Sequence, residues 1–241
     1  MIRTASDISR LGTILGIWAH PDDEAYLSGG LMALARDAGA TVVCVTATHG
    51  ELGTADPVTW PPDRLAAERT AEMSKCLGIL GVTEHHWLDF RDGDCDTAPA
   101  NEAVDALSRI IAQVDPDTVL TFGADGITGH PDHQAVGSWA AAAFDRTARP
   151  SARLLQAAVP ERQVRQWGEL NEQLGVYLPG YPVTVPDDRL VVDLVLEPQV
   201  AARKVRALAA QETQTSGLIA TLGLERYTAW VADEAFVQWQ R

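Results

Sequence analysis

Thiols are scarce in this chain and badly spaced for any shared task. The three cysteines, Cys44, Cys76 and Cys95, form no C-x-x-C pair, which excludes a disulfide framework and a thiolate zinc knuckle. A reduced, cytoplasmic setting is the resulting expectation. Cys44 falls in a strand pattern and Cys76 in a helical one, where each reads as a small buried hydrophobe; Cys95, within RDGDCD, is left unassigned. Positive charge is short as well: 19 Lys and Arg stand against 33 Asp and Glu, for a net charge of -14. That balance argues against nucleic acid and anionic membrane as main partners, because binding phosphate takes a clustered cationic surface. Long apolar runs are also missing. No stretch approaches the ~18 residues of a membrane span, and MIRTASDISRLG lacks the basic start and apolar stretch of a signal peptide. Solenoid repeats and low-complexity segments are absent too.

Apolar content, in contrast, is ample. At 46% hydrophobic over 241 residues, the chain can bury the core of one α/β domain spanning residues 1–241. Short strand-like runs alternate with longer helical patterns. The strands are TILGIWA (13–19), TVVCVTA (41–47), HHWLDF (85–90), TVLTFG (118–123), RLLQAAV (153–159) and RLVVDL (189–194); the helical patterns cover 24–38, 63–80, 100–114, 133–146, 161–174 and 197–213. Strands that are apolar throughout, separated by helices, predict a Rossmann-like, mainly parallel sheet with helices on both faces. Regularity weakens after Pro160, and YLPGYPVTVPDD reads as a loop leading to a late edge strand.

One tripeptide occurs twice, each time where a strand gives way to a helix: AHPDDE at 19–24 and GHPDH at 129–133. In open parallel sheets, ligands bind beyond the carboxyl ends of strands, where these turns lie. Proline at the first helical position and carboxylates in the first turn are favourable for helix initiation alone, so Pro21, Asp22, Asp23 and Glu24 have a purely structural explanation. The histidines do not. In His20-Pro-Asp-Asp23 and His130-Pro-Asp-His133 the outer residues stand about one helical turn apart and can face one point. Two such corners can offer imidazoles and a carboxylate to one cation, a donor set that suits zinc and admits other divalent metals.

Together these motifs resemble the LmbE-like, or PIG-L, family of zinc-dependent N-acetylglucosaminyl deacetylases. THGELG (48–53), RTAEMSKCLGILGV (69–82), WLDFRDG (87–93) and RKVRALAAQETQ (203–214) extend the resemblance over most of the chain, whereas 145–190 matches loosely and is expected to vary with the substrate pocket. The resemblance implies His20, Asp23 and His133 as zinc ligands and Asp22 as general base. It implies His130, in protonated form, as partner of the oxyanion and donor to the leaving amine, with Asp132 orienting it. Arg69 and Asp92 correspond to contacts with sugar hydroxyls; Asp92 also has a turn reading and Arg69 a solvated one. Glu51 is placed either on substrate or in the loop around His49. His49 is placed either near the site or in a structural role, and His85 and His86 read as non-catalytic.

The implied activity is removal of an N-acyl group, acetyl first, from an amino sugar or its conjugate, a small-molecule partner. An amidase acting on a larger acyl group is the alternative, and a homo-oligomer is compatible with the sequence. A dinucleotide-binding oxidoreductase would open its first strand into G-x-G-x-x-G. Here carboxylates come first and Gly29-Gly30 comes too late. A carbohydrate-binding protein without turnover is disfavoured by the intact set of base and ligands.

Overall fold

The computed structural model describes residues 1–240. Five parallel strands form the centre of the sheet: β1 (Ile14–Trp18), β2 (Val42–Thr48), β3 (Glu84–Phe90), β4 (Thr118–Thr121) and β5 (Arg153–Ala157). The sheet order is β3-β2-β1-β4-β5-β9-β8, with β8 (Leu190–Val195) and β9 (Asp233–Gln238) antiparallel additions at one edge. β1, β2 and β4 are buried at every position, as expected of strands covered on both faces. A separate short pair joins β6 (Val159–Pro160) to β7 (Thr184–Val185).

The helices are α1 (Asp23–Asp37), α2 (Pro62–Leu80), α3 (Ala100–Val114), the short α4 (Gly126–Gly129), α5 (Pro131–Thr147), α6 (Glu161–Leu174), α7 (Pro198–Ala209), α8 (Glu212–Leu222) and α9 (Leu224–Trp230). No helix among the described residues is long and apolar enough to cross a membrane. The mainly parallel α/β sheet follows the sequence reading, with two departures. The helix expected over 197–213 breaks at Gln211, whose side chain turns inward to donate to Glu24 Oε1 at 2.8 Å. Strand β9 escapes a periodicity search because Asp233, Glu234 and Gln238 at its ends leave only Ala235, Phe236 and Val237 as an apolar run. Glu234 is nevertheless buried, paired with Lys204 Nζ at 2.8 Å and accepting the Gly30 and Leu31 N–H groups at 2.7 Å each.

The strand order carries the functional consequence. β1 lies between β2 and β4, so the chain leaves β1 on one side and returns on the other. A crevice opens at the carboxyl ends of β1 and β4. Residues 19–22 follow β1 and residues 122–130 follow β4, so two segments over a hundred residues apart in sequence become neighbours.

Candidate active site

The first corner is shaped by Asp22, whose φ of 109° and ψ of -31° are rarely adopted by a residue with a side chain. Such a backbone costs about 1–3 kcal/mol and persists only when its surroundings over-determine it. Here the Asp22 N–H donates to Glu24 Oε2 at 3.0 Å, and the Asp22 carbonyl accepts from Ala25 and Tyr26. Glu24 is fully buried; burial first, then the Asp23 charge, pushes its carboxyl up to about 7 despite the hydrogen bonds it accepts. The sequence presents Glu24 as a helix-start residue, and its role in fixing Asp22 was not legible there.

The second corner begins after β4. Gly126 (φ 65°) and Ile127 (φ 63°) turn the chain sharply, and a Cβ on Gly126 would lie 2.9 Å from the Cβ of His133. His130 caps α5: its Nδ1 accepts the Asp132 backbone N–H at 3.2 Å. One turn on, the His133 ring stacks on Phe122 with centroids 4.3 Å apart.

Three donors converge where the corners meet. His20 Nδ1 lies 3.2 Å from His133 Nε2, Asp23 Oδ2 is 3.7 Å from His20 Nδ1, and Asp23 Oδ1 is 3.4 Å from His133 Nε2. The outer nitrogens have assigned partners. His20 Nε2 faces Asp132 Oδ2 at 3.0 Å and Asp92 Oδ1 at 3.1 Å, while His133 Nδ1 donates to the Gly126 carbonyl at 3.0 Å. With the ring hydrogens on those outer nitrogens, the lone pairs of both histidines point at each other beside a carboxylate. That electron-rich point fits a divalent cation, with outer partners fixing the tautomers as they do around histidine metal ligands.

The protonation pattern agrees with such a point. Burial works against charge on His20, but the hydrogen bonds to Asp132 and Asp92 and the charges of Asp23 and Asp92 outweigh it and raise it to about 10. The negative field that favours a proton there also favours a metal cation in its place. His133 is pushed down to about 4, chiefly by burial, so it presents a neutral imidazole. Asp22 is raised to about 8 by burial, with Arg69 opposing and Asp23 and Glu24 adding to the rise. Asp92, although burial alone would raise it, is held near 2 by its hydrogen bond to His20.

His130 offers a nitrogen within 4.8 Å of the ring nitrogens of His20 and His133, and Asp92 and Asp132 cluster similarly with His20. Their commitments differ from those of the central trio. The His130 Nδ1 is occupied by the α5 cap, and both aspartates hold the outer nitrogen of His20.

The other residues singled out in the sequence have these partners in the structure. Asp132 does not orient His130 through its carboxylate: fully buried, it accepts from His20 Nε2, from Gly93 N at 2.8 Å and from Cys95 N at 3.1 Å. Asp92 places Oδ1 3.1 Å from His20 Nε2 and accepts the Leu52 N–H on Oδ2, and it also lines the cavity. Arg69 is not a solvated helix residue but 4% exposed. Its guanidinium donates to the carbonyls of Pro21 and Gly50 and lies 3.4 Å from Asp22 Oδ2. A Cβ on Gly50 would come within 2.2 Å of Arg69 Nη1, so glycine is required there. Arg69 therefore clamps Asp22 and also borders the cavity. Glu51 accepts the Asp92 N–H at 2.9 Å, which is the loop-holding option, and it does not line the cavity. His49 lies away from the site, stacked on Trp87 and bonded to Thr70 and Asp89. All three cysteines are free and buried.

The donors open into a cavity of about 550 Å³. Besides His20, Asp22, Asp23, His130 and His133, its wall includes Gln163, Asn171 and Leu174 of α6, within the 145–190 segment expected to shape the pocket, and residues of α8 and α9.

Comparison with known proteins accords with this geometry. Residues 15–144 match the PIG-L family, described as GlcNAc-PI de-N-acetylase. The 1D-myo-inositol 2-acetamido-2-deoxy-alpha-D-glucopyranoside deacetylase of Kineococcus radiotolerans is 31% identical, over 84% of this chain and 69% of the relative. Among solved structures, the N,N'-diacetylchitobiose deacetylase from Pyrococcus horikoshii shares the fold with a TM-score of 0.66 at 21% identity, over 97% of this chain and 86% of that one. A zinc-inhibited form of a teicoplanin deacetylase does so with a TM-score of 0.65 at 19% identity, over 94% and 97% of the two chains.

Proposed function

The chain belongs to the PIG-L family, and from that premise we propose that it is a zinc-dependent deacetylase hydrolysing the N-acetyl amide of an amino sugar or glucosaminyl conjugate. The observation that carries this reading is the meeting of His20 Nδ1, His133 Nε2 and the Asp23 carboxylate within 3.2–3.7 Å, beside an uncoordinated carboxylate, Asp22. His20, Asp23 and His133 would hold the metal. When bound there, zinc supplies Lewis acidity, polarising the amide carbonyl and acidifying water.

The protein's own groups do the rest. Asp22, clamped by Arg69 and by its bond to Glu24, takes the proton of the water that attacks the carbonyl carbon. The protonated Asp22 then returns that proton to the departing amine. While His130 Nδ1 accepts the Asp132 N–H, its ring hydrogen sits on Nε2 and can donate to the carbonyl oxygen as negative charge develops. Asp92 and Asp132 keep His20 in its ligating tautomer.

The whole chain, 1–241, acts as one catalytic unit, with 145–190 shaping the pocket. Its three free, buried thiols are consistent with a cytoplasmic setting. Incubation of purified protein with N-acetylglucosaminides should release acetate and a free amine in equal amounts. Absence of both from free, inositol-linked and aryl-linked sugars would refute the reading. The second reading, hydrolysis of a larger acyl group, draws on the size of the cavity, and N-octanoylglucosamine tests it.

A further inference from the structure

Beyond the hydrolytic cluster, the cavity wall is largely aliphatic and aromatic: Leu27 from α1, Leu174, Val176 and Tyr177 at and after the end of α6, Leu218 from α8 and Trp230 from α9. Most polar side chains in this part of the wall are already committed. Asn171 accepts from Trp230 Nε1 at 2.8 Å, which ties α6 to α9. Gln214 donates to the Gly53 carbonyl, and Glu234 is shared between Lys204 and two backbone N–H groups. The Tyr26 hydroxyl is paired with that of Tyr227 at 2.9 Å. Gln163, Tyr177 and Asp233 keep uncommitted polar groups, and the bonds above use only the oxygen of Asn171 and the nitrogen of Gln214.

A cyclic polyol such as inositol carries a hydroxyl on nearly every ring carbon. Burying those groups without partners is costly, and the few uncommitted polar groups, scattered over separate elements among aliphatic and aromatic side chains, offer no concerted set for them. An apolar group has the opposite preference: it loses nothing against Leu218 and Val176, and it gains by covering them. The wall is also fixed in place beside the catalytic loop. The Leu178 N–H donates to the Thr128 carbonyl at 2.9 Å, and the Tyr181 ring packs where a Cβ on Gly129 would intrude at 2.4 Å.

We propose that the substrate carries, besides the hydrolysed amide, an apolar group, aryl or alkyl, seated between α6, α8 and α9, and that the inositol conjugate acted on by the Kineococcus radiotolerans relative is a poor substrate here. This rests on the deacetylase reading for its reaction but not for its binding, so binding is measured separately. Calorimetry on the zinc-loaded protein compares the amine products 4-nitrophenyl glucosaminide, octyl glucosaminide and glucosaminyl-inositol. Turnover compares the corresponding N-acetyl compounds with N-octanoylglucosamine.

Binding of the aryl or octyl product on the order of 10-fold or more tighter than glucosaminyl-inositol is the expected result. It would stand even if none of the compounds were hydrolysed, an outcome that would overturn only the deacetylase reading. Preference for octyl glycoside over N-octanoyl amide assigns the apolar group to the aglycone, and the reverse assigns it to the acyl chain. Equal or tighter binding of glucosaminyl-inositol overturns the proposal. Leu218→Asn, on a half-buried helix face, and Trp230→Phe, which keeps the ring but not the Asn171 bond, should both lower the ratio of aryl to inositol affinity. An unchanged ratio in both folded variants would also overturn it.

Discussion

Replacing Asp132 with Asn tests how the metal ligands are held. The carboxylate receives three donors: His20 Nε2 and Gly93 N on Oδ2, and Cys95 N on Oδ1. An amide keeps one oxygen. Its better orientation leaves that oxygen toward His20 and Gly93 and turns the NH2 toward the Cys95 N–H, so one buried donor is unsatisfied at a cost of about 1–3 kcal/mol. The same change removes the charge that fixes the His20 tautomer, and loss of such an outer partner typically weakens metal binding by about 10–100-fold. Asp92 Oδ1, 3.1 Å from the same nitrogen, supplies a partial substitute. Asp132→Asn should therefore fall within that range, and adding Asp92→Asn should weaken binding by more than the product of the single effects. Zinc affinity is read by competition with a chromophoric chelator, and stability by urea unfolding. A folded Asp132→Asn with zinc affinity within about twofold of wild type, yet with slowed turnover, would refute this reasoning and return Asp132 to the service of His130.

Asp22→Asn and His130→Ala should each retain zinc by elemental analysis while slowing turnover by on the order of 10²-fold or more; loss of metal from either would exchange its role with that of a ligand. Arg69→Lys should lower kcat more than it raises KM and reduce stability by about 1–3 kcal/mol, since an ammonium cannot span the acceptors that the planar fork reaches. A pure KM effect would restore the sugar-contact role. His85, bonded to Thr46 Oγ1, is lowered to about 4 by burial, with the nearby His86 and His49 adding to the fall. Between that value and 6.5 the unfolded chain binds the extra proton, so stability rises with pH across this window and is lost as pH falls. Urea unfolding should show a loss of about 1–2 kcal/mol from this group between pH 7 and pH 5, and a His85→Asn variant with the same pH slope as wild type would refute it.

The alternation of apolar strands and helices was sufficient to read the central sheet, because buried parallel strands advertise themselves as continuous hydrophobic runs. β9 stayed hidden because a buried ion pair, Lys204 with Glu234, lets a carboxylate occupy a core position that looks like surface. At the site, the doubled His-Pro-Asp motif was legible as a pair of histidine corners because each is local in sequence. What each aspartate does was not. Asp132 sits two residues from His130, yet its carboxylate serves His20, because the adjacency of β1 and β4 decides which ring it reaches. Arg69 read as a sugar contact through the resemblance, with a solvated helix residue as the alternative, and only the packing of the loop at Gly50 shows it closing over Asp22. The loosely matching 145–190 segment marked α6 as pocket wall, whereas Leu218 of α8 and Trp230 of α9 lie outside every motif, with no spacing to betray them.

The central claim, amide hydrolysis dependent on a cation at His20, Asp23 and His133, is tested most directly by titrating zinc into metal-stripped protein while following acetate release from an N-acetylglucosaminide. Activity should start near zero, rise linearly and level off at about one equivalent of zinc per chain, with no rise for His133→Ala over the same range. Full turnover by the metal-stripped protein, or an identical titration for His133→Ala, would contradict the account.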